Sequence, residues 1–402
     1  MGFLDKLLRR APADLPALEP LLAARDLVPT AKLEALRHAF DHLFDAKARE
    51  GWVEAVADLK AQGLSLPPPF DEALDELLPE VVPAWRAERE GRFARLLSEG
   101  LRIRIAFQGV AIPAAWLKIW DIEPEDLLDR SLDNLRRRTP AKPFERLPSG
   151  IYRGPWRDGL DAARILLPEV WRDLMKDQKP FMAVPNASTM LIAPQVLLPK
   201  LVEAVGPELR GQILQAAMME RVEEQWLPAR LQDPHPMSGP QRELRLMDLL
   251  QALRAQEADL DPALGKPAPV TFLSLKDQKP MLMANWVAGN PCLLPEVDLI
   301  GFYTSDGAPL GVYWRQTLPR ISELRPEPVE IWGPRRQRFA TFPTGEQRER
   351  LERFANAEQM IQILKGMGLG KPAAPPAPPP PGQGAAPVPA HLQGQLGVQQ
   401  AD

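Results

Sequence analysis

The densest set of polar residues in the chain is Asp158, Asp161 and Arg164. Two carboxylates three residues apart can bind a divalent cation or act as acid and base, and a neighbouring arginine can hold an anion. The same residues also suit an architectural role. Asp158-Gly159 is a turn signal, Asp161 can cap the following segment, and Arg164 can pair with either acid. We favour the architectural interpretation, because a metal site needs further ligands and no histidine lies within 70 residues.

The other candidate metal-binding, nucleophilic and phosphate-binding motifs are each incomplete. His38 and His42 share a helical face, as in a two-ligand metal site, but no glutamate follows His38, and Asp41 and Asp45 indicate a solvent-facing surface. Cys292, between a proline and two leucines, is expected to be a buried small hydrophobe rather than a nucleophile. Glycine-rich phosphate loops are absent. The sequence therefore predicts no catalytic residue, no cofactor and no metal.

Tryptophan is unusually frequent, with ten residues against three tyrosines. Most should lie in the core, since each ring buries a large apolar area. Trp156 follows Gly154-Pro155 in a predicted turn, where its ring could instead be exposed. Trp156 is therefore a candidate anchor for a protein partner.

The composition and net charge limit which kinds of protein this chain can be. The chain has 402 residues, 45% apolar and 25% charged, which predicts two or three folded units. A net charge of −4 is too small to attract nucleic acid as a whole, so no nucleic-acid partner is expected. A single cysteine excludes an internal disulfide and favours a reducing, cytoplasmic compartment. Residues 1–10 have apolar and basic helical faces that could contact a membrane, but docking on the body of the protein or on a partner is favoured.

The predicted fold class is α+β, in four regions. Residues 1–100 form a helical unit, including a helix over 82–98 whose arginines at every third position indicate a solvated, salt-bridged face. Residues 101–240 form a mixed domain, and residues 241–366 form a strand-rich segment with a helix at each end. Residues 367–402 form a disordered proline-rich tail, either a passive spacer or a ligand for an aromatic-lined groove.

Finer predictions concern individual elements within these regions. Alternation predicts a strand over 101–107, and two short strands over 181–184 and 190–193 form a hairpin. Paired strands are expected over 270–275 and 281–286, and again over 299–303 and 310–314. The expected helices are listed by position: 124–138, 168–176, 197–205, 207–225, 242–257 and 346–365.

One pentapeptide, Lys-Asp-Gln-Lys-Pro, occurs at both 176–180 and 276–280. A repeat spaced by 100 residues suggests a duplication. The flanking sequences differ in character, however, since the first copy follows a helical pattern and the second an extended one. A weak duplication or a coincidence of turn chemistry is favoured over a true two-repeat fold.

Residues 101–227 resemble the bacterial YtpQ-like family of domains of unknown function. The resemblance is carried by Asp158-Gly159-Leu160-Asp161-Ala162-Ala163-Arg164-Ile165-Leu166, followed by Met182-Ala183-Val184-Pro185 and Leu191-Ile192-Ala193. This chain has Ala163 where the family usually has serine. The resemblance implies a cytosolic α+β domain and supplies no reaction.

These observations predict a non-enzymatic cytoplasmic interaction or regulatory protein with an unidentified protein partner. The alternative is a metal-dependent hydrolase or phosphoesterase centred on Asp158, Asp161 and Arg164.

Overall fold

The computed structural model describes residues 15–28, 30–90, 94–175, 178–209, 213–223, 225–229, 231, 237–275 and 278–366. Residues 1–10, the first two residues of each pentapeptide copy and the proline-rich tail lie outside this description. Within it, helices accompany four largely antiparallel sheets, which confirms the α+β class. None of the described helices has the length and apolar character needed to cross a membrane.

The first unit packs helices against a small sheet. Its described elements are α1 Leu18–Ala23, α2 Ala31–Ala35, α3 Arg37–Asp41, α4 Ala46–Ala61, α5 Phe70–Ala73, β1 Leu77–Pro83, α6 Ala84–Glu90, β2 Arg95–Leu96, β3 Leu101–Phe107, β4 Val110–Ala111, α7 Ala114–Trp120 and α8 Pro124–Arg137. The sheet has the order β1-β3-β2, with β4 also on β3. Buried Trp52 on α4 donates from Nε1 to the Ile119 carbonyl (3.0 Å), which fixes α4 against α7.

The boundary expected at residue 100 runs through this sheet. β1 and β3 pair antiparallel from Leu77 opposite Phe107 to Pro83 opposite Leu101. Residues on both sides of position 100 also share one apolar core. The first structural unit therefore continues past residue 100.

Some local predictions for this unit are confirmed and one is wrong. The strand over 101–107 and the helix beginning at Pro124, with acids in its first turn and arginines in its last, are both present. The helix expected over 82–98 is shortened to α6, because β1 includes Pro83 and β2 follows. The salt-bridged face is nevertheless confirmed for Arg86, which pairs with Glu90 (2.8 Å), and for Arg89, which pairs with Asp259 (2.6 Å). Arg92 lies outside the described residues.

The second unit is a six-stranded sheet with the order β10-β9-β7-β8-β6-β5. Its described elements are β5 Glu145–Arg146, β6 Tyr152–Arg153, α9 Pro168–Met175, β7 Pro180–Asn186, β8 Thr189–Pro194, α10 Leu198–Val205, β9 Met219–Val222 and β10 Gln225–Pro228. The β7–β8 hairpin and α9 confirm the predictions. The helix expected over 207–225 is wrong, since that stretch contains β9, which pairs between β10 and β7 in the sheet.

The third unit combines a long helix with two sheets. Its described elements are α11 Ser238–Glu257, β11 Lys266–Pro267, β12 Val270–Leu273, β13 Met281–Val287, β14 Cys292–Pro295, β15 Leu299–Tyr303, β16 Pro309–Trp314, β17 Glu327–Val329, β18 Arg336–Phe339, α12 Gly345–Glu349, β19 Arg353–Ala355 and α13 Ala357–Gly366. The sheet orders are β11-β14-β18-β17 and β12-β13-β15-β16-β19. The predicted pairs β12–β13 and β15–β16 are confirmed. The single helix expected over 346–365 is wrong, because β19 separates α12 from α13.

The described residues of the two pentapeptide copies make the same backbone hydrogen bond but lie beside different sheets. The Gln178 N–H donates to the Met175 carbonyl (2.8 Å), and the Gln278 N–H donates to the Leu275 carbonyl (3.2 Å). A strand follows each copy. β7 lies between the antiparallel strands β8 and β9, whereas β13 pairs antiparallel with β12 and parallel with β15. The third residue of each copy thus makes the same backbone hydrogen bond, and the strands beside the two copies lie in different sheet topologies.

Candidate functional site

Asp158 and Gly159 form the tight turn that the sequence predicts. The residue before them, Arg157, has φ of 53° and Gly159 has φ of 83°, so the chain reverses through two left-handed positions. The Asp158 Oδ1 accepts from the Leu160 N–H (3.0 Å), which closes the turn. This geometry directs the Asp158 carboxylate back toward the short 3₁₀ turn that holds Arg164.

Arg164 is completely buried and nearly all its donors are used. Its Nη1 and Nη2 donate to the two oxygens of Asp158, both at 2.7 Å, as a bidentate ion pair. Its Nε donates to the Thr139 hydroxyl (3.0 Å) and its Nη2 also donates to the Arg138 carbonyl (3.2 Å). Arg164 therefore ties the turn to the C-terminal end of α8, as the architectural interpretation predicts.

Asp161 is also completely buried, and its carboxylate is poorly satisfied. Its Oδ2 lies 3.8 Å from Arg164 Nη1, and its other polar neighbours are the backbone N–H groups of Arg157 and Asp158, whose geometry is too poor for full hydrogen bonds. Burial raises the pKa of Asp161 above its usual range, whereas the hydrogen bonds from Arg164 lower the pKa of Asp158. The expectation that Asp161 caps the following segment is wrong, because its oxygens accept no such bond.

Gly154 provides the space for that carboxylate. A Cβ at Gly154 would lie 2.6 Å from Asp161 Oδ1, which is closer than any ordinary contact. The glycine is therefore required by the buried acid rather than by its own backbone conformation.

Trp156 is not an exposed anchor, which corrects the sequence-based prediction. The residue is only 9% exposed, and its ring packs edge-on against Phe144 at 5.5 Å between centroids. Its Nε1 donates to the Pro140 carbonyl (3.0 Å), and the Arg164 guanidinium lies 4.4 Å from the ring centroid. Trp156 thus covers the ion pair, and the turn position that suggested exposure folds inward.

The structure brings Asp158, Asp161 and Arg164 together, but as an internal cluster. The side chains of Asp161 and Arg164 are inaccessible, and Asp158 is 41% exposed but occupied by Arg164. In the described ranges, no three side chains of the ligand-forming types His, Cys, Asp and Glu are grouped to hold a metal ion. The arrangement can stabilise the fold, and Asp158 is the only one of the three side chains that a substrate could contact.

The remaining sequence candidates lie elsewhere. His38 and His42 are exposed on α3 and at its end, with their Nε2 atoms 3.0 Å apart, which confirms a surface face. Cys292 is 4% exposed, and burial raises the pKa of its thiol to about 12, so the predicted inert role agrees with the structure.

A large cleft lies where the three units meet, and sequence reasoning did not find it. Its volume is about 1030 Å³, at the upper end of the usual range for ligand-binding sites. The first unit contributes Pro83, Ala84, Trp85, Glu88, Glu99 and Gly100, the second contributes residues between Leu214 and Leu231, and α11 contributes residues between Ser238 and Ala252. Lys279, Gly333 and Pro334 complete the described lining.

Side chains of α11 attach the second unit to the wall of this cleft. The Asp248 carboxylate accepts from the backbone N–H groups of Ala216 (2.6 Å) and Ala217 (3.0 Å). Gln241 accepts from the Met218 N–H (3.1 Å) and donates to the Met218 carbonyl (3.0 Å). Burial raises the pKa of Asp248 to about 7, although the two backbone bonds and Arg245 act in the opposite direction. One face of α11 therefore builds the wall and also lines the cavity.

A set of contacts lies beside the cleft. The indoles of Trp85 and Trp332 stack with centroids 5.8 Å apart, and Trp332 Nε1 donates to Asp259 (2.9 Å). The Gly333 N–H donates to Glu88 (3.0 Å). These contacts join α6 of the first unit to the third unit.

Three charged residues of the lining differ in how far they are paired. Arg242 donates to Asp298 (2.6 Å) and to the Pro280 carbonyl (2.9 Å), so its charge is already paired. Arg245 and Glu99 are exposed and make no hydrogen bond or ion pair within the described ranges, but Arg245 lies near enough to Asp248 to lower the pKa of that carboxyl. The cleft thus presents charged and apolar groups side by side.

No family model, curated protein or solved structure matches this chain.

Proposed function

We propose that this protein is a non-enzymatic, cytoplasmic interaction or regulatory protein, and that it holds a protein partner in the cleft between its three units. The cleft is the observation that carries the proposal. Concave surfaces between domains are the preferred places for binding sites, and this one combines apolar walls with the exposed charged side chains of Arg245 and Glu99. No nucleic-acid partner is proposed, because the formal charge of the chain is −4.

The polar cluster around Arg164 supports a role without catalysis. A catalytic group must reach the reacting atoms of a substrate. The burial of Asp161 and Arg164, and the bidentate pairing of Asp158, use these side chains for structure. The function is therefore assigned to the cleft rather than to this cluster.

Blocking the cleft tests the proposal. Gly239, on the first turn of α11, lines the cleft, and a Cβ there meets nothing within 4 Å. We expect Gly239→Phe to fold normally and to lose proteins that co-purify with the full-length wild-type chain from its own cells. Gly51→Phe on α4 is the matched control, because that position also has open space around a Cβ and lies outside the cleft lining. Equal recovery of the same partners with both variants would contradict the proposal.

One observation favours the alternative, a metal-dependent hydrolase or phosphoesterase centred on Asp158, Asp161 and Arg164. A buried carboxylate with poorly formed hydrogen bonds, such as Asp161, is costly and is sometimes kept for chemistry. Calorimetric titration of the wild type and of Asp161→Ala with Mn²⁺ separates the two functions. We expect no binding by either protein, whereas wild-type binding that disappears in the variant would support the hydrolase.

The relation to the bacterial YtpQ-like family remains a proposal that rests on the motif at 158–166 and the two strand sequences after it. The motif includes all three members of the buried cluster. Its acidic and basic positions are thus supported as positions that the fold needs.

A further inference from the structure

The surface of the first unit presents two exposed imidazoles side by side. His38 is the second residue of α3, and His42 directly follows the last one, so the two side chains share a helical face. Their Nε2 atoms lie 3.0 Å apart, whereas the ring centroids are 4.2 Å apart and the ring planes are inclined by 66°. The rings therefore approach each other at their Nε2 atoms and are not stacked face to face.

The fold holds the backbone beneath this histidine pair. The His42 N–H donates to the His38 carbonyl (3.2 Å), so one helical turn joins the two residues. Phe40 and Leu43, beside them in sequence, are buried in the core of the first unit, and the Phe40 ring lies edge-on to Trp52 with centroids 5.4 Å apart. A ligand of the pair would therefore order little more than two side chains, which keeps the entropic cost of binding low.

The distance between the two nitrogens matches that between neighbouring ligands of a metal ion. A metal–imidazole bond is about 2.0–2.1 Å long. Two such bonds from nitrogens 3.0 Å apart enclose an angle of about 95° at the metal. This is close to the right angle of square-planar or octahedral coordination, which Cu²⁺ and Ni²⁺ adopt, and smaller than the tetrahedral angle that Zn²⁺ prefers.

The same distance also allows a hydrogen bond, in which one Nε2–H donates to the other Nε2. A metal ion would take the place of that proton. Each neutral ring would then carry its N–H on Nδ1 and direct the Nε2 lone pair at the ion, so only the tautomer of one ring changes. The spacing in the sequence indicated a surface face, and the convergence of the two nitrogens is what the structure adds.

The surroundings of the pair do not repel a cation. The neighbouring Arg37 is paired with Glu19 and with Glu34 (3.2 Å). Within the described ranges, no third side chain of the types His, Cys, Asp and Glu is grouped with the pair as a ligand. The protein therefore supplies two ligands, and the remaining coordination positions are left to water.

We propose that His38 and His42 form a two-ligand surface site for Cu²⁺ or Ni²⁺, each binding the ion through Nε2. Neither residue belongs to the lining of the cleft, so the site is separate from the proposed partner site. For such nitrogen ligands Cu²⁺ has the highest affinity of the divalent first-row metals and Mn²⁺ the lowest. The pair should therefore not contribute detectably to the Mn²⁺ titration that examines Asp161.

Calorimetric titration of the untagged full-length chain with Ni²⁺ tests the proposal. The chain has four histidines, so the double variant His235→Gln/His391→Gln keeps the pair as its only imidazoles and is the matched control. We expect the wild type and this control to bind one Ni²⁺ with affinities within about twofold of each other. His38→Gln and His42→Gln should each bind at least about tenfold more weakly, because a single imidazole loses the advantage of chelation.

Two further measurements do not depend on calorimetry. With one equivalent of Cu²⁺, electron paramagnetic resonance should show two coordinated imidazole nitrogens in the wild type and in the control. Ni²⁺ should also raise the melting temperature of the wild type but not that of His42→Gln, because an ion that binds the folded state stabilises it. Without metal, the variants should melt with the wild type, since both side chains are exposed.

Three results would overturn the inference. They are a wild type that binds neither Ni²⁺ nor Cu²⁺, affinities for Ni²⁺ that are unchanged in both His38→Gln and His42→Gln, and binding that is lost from the His235→Gln/His391→Gln control. A copper spectrum of the wild type without two imidazole nitrogens would also contradict it, and that result requires no variant.

Discussion

At the scale of single residues, Arg164 joins a chemically suggestive motif to the neighbouring elements of the fold. Its guanidinium binds Asp158, Thr139 and the Arg138 carbonyl, and it lies under the Trp156 ring. The sequence predicted that Arg164 can pair with either acid, and in the structure its hydrogen bonds go to Asp158, while Asp161 lies 3.8 Å away. The burial of Trp156 could not be predicted, because it depends on Phe144 and Pro140, which approach only in the folded chain.

Removal of the Arg164 side chain should therefore lower the free energy of unfolding strongly. Arg164→Ala leaves the buried Asp161 without its neighbouring cation, and losing one partner of a buried ion pair costs about 3–5 kcal/mol. Arg25→Ala is the control, because Arg25 pairs with Glu54 at the exposed surface, where such a pair contributes about 0–1 kcal/mol. Urea denaturation measures both changes in the free energy of unfolding. A loss for Arg164→Ala no larger than that of the control would contradict the structural role.

The same ion pair predicts a pH dependence of stability. Because the pKa of Asp158 is lowered in the folded state, its ionised form stabilises the fold at pH values above the unfolded pKa of about 3.9. This stabilisation is lost as the pH falls from there through the lowered folded-state pKa. Asp158→Asn should therefore unfold at lower urea concentration than the wild type at pH 6, and the difference should shrink below about pH 4. A difference that stays constant between pH 6 and pH 3 would be inconsistent with this assignment.

At the scale of elements, the predictions succeeded where the local signal and the tertiary environment agree. Helix α8 begins at Pro124 with acids in its first turn, and β3 alternates apolar and polar residues, so both were identified. Strand β1 was missed because Pro79 and Pro83 argue against a strand. The two prolines are tolerated because β1 is an edge strand, hydrogen-bonded to β3 on one side only. Strand β9 was assigned to a helix because sheet pairing with β7 overrides its local pattern.

The docking of α11 against β9 gives a prediction at this scale. Gln241 is 3% exposed and both accepts from and donates to the Met218 backbone. Gln241→Leu should lower the free energy of unfolding by about 1–3 kcal/mol, because a buried backbone N–H loses its partner. Hydrogen exchange should show faster exchange at Met218 and along β9. Gln251→Leu is the control, since Gln251 is only partly buried and its side chain makes a single hydrogen bond within the described residues, to the Ile213 carbonyl. Unchanged protection of Met218 in Gln241→Leu would contradict this account of the docking.

At the scale of the whole molecule, the binding site comes from the assembly of three units. The residues that line the cleft are scattered along the chain between Pro83 and Pro334, so no local sequence motif marks the cleft. A weak signal did exist in the sequence: α11 carries Arg242, Arg245 and Asp248 at a spacing of three on a helix that also contributes to the core. Without the positions of Glu99 and Trp85, this spacing cannot be distinguished from an ordinary solvated helix face.

Site-specific photo-crosslinking tests the central claim, that the cleft is where this protein meets its partner. The full-length chain is produced in its own cells with p-benzoylphenylalanine at position 239, inside the cleft, or at position 51 on α4 as the control. After irradiation, the account predicts a discrete crosslinked protein from position 239 that is absent from position 51 and lost when Arg245→Glu is added. Crosslinks of equal yield and identity from both positions, or none from position 239, would contradict it.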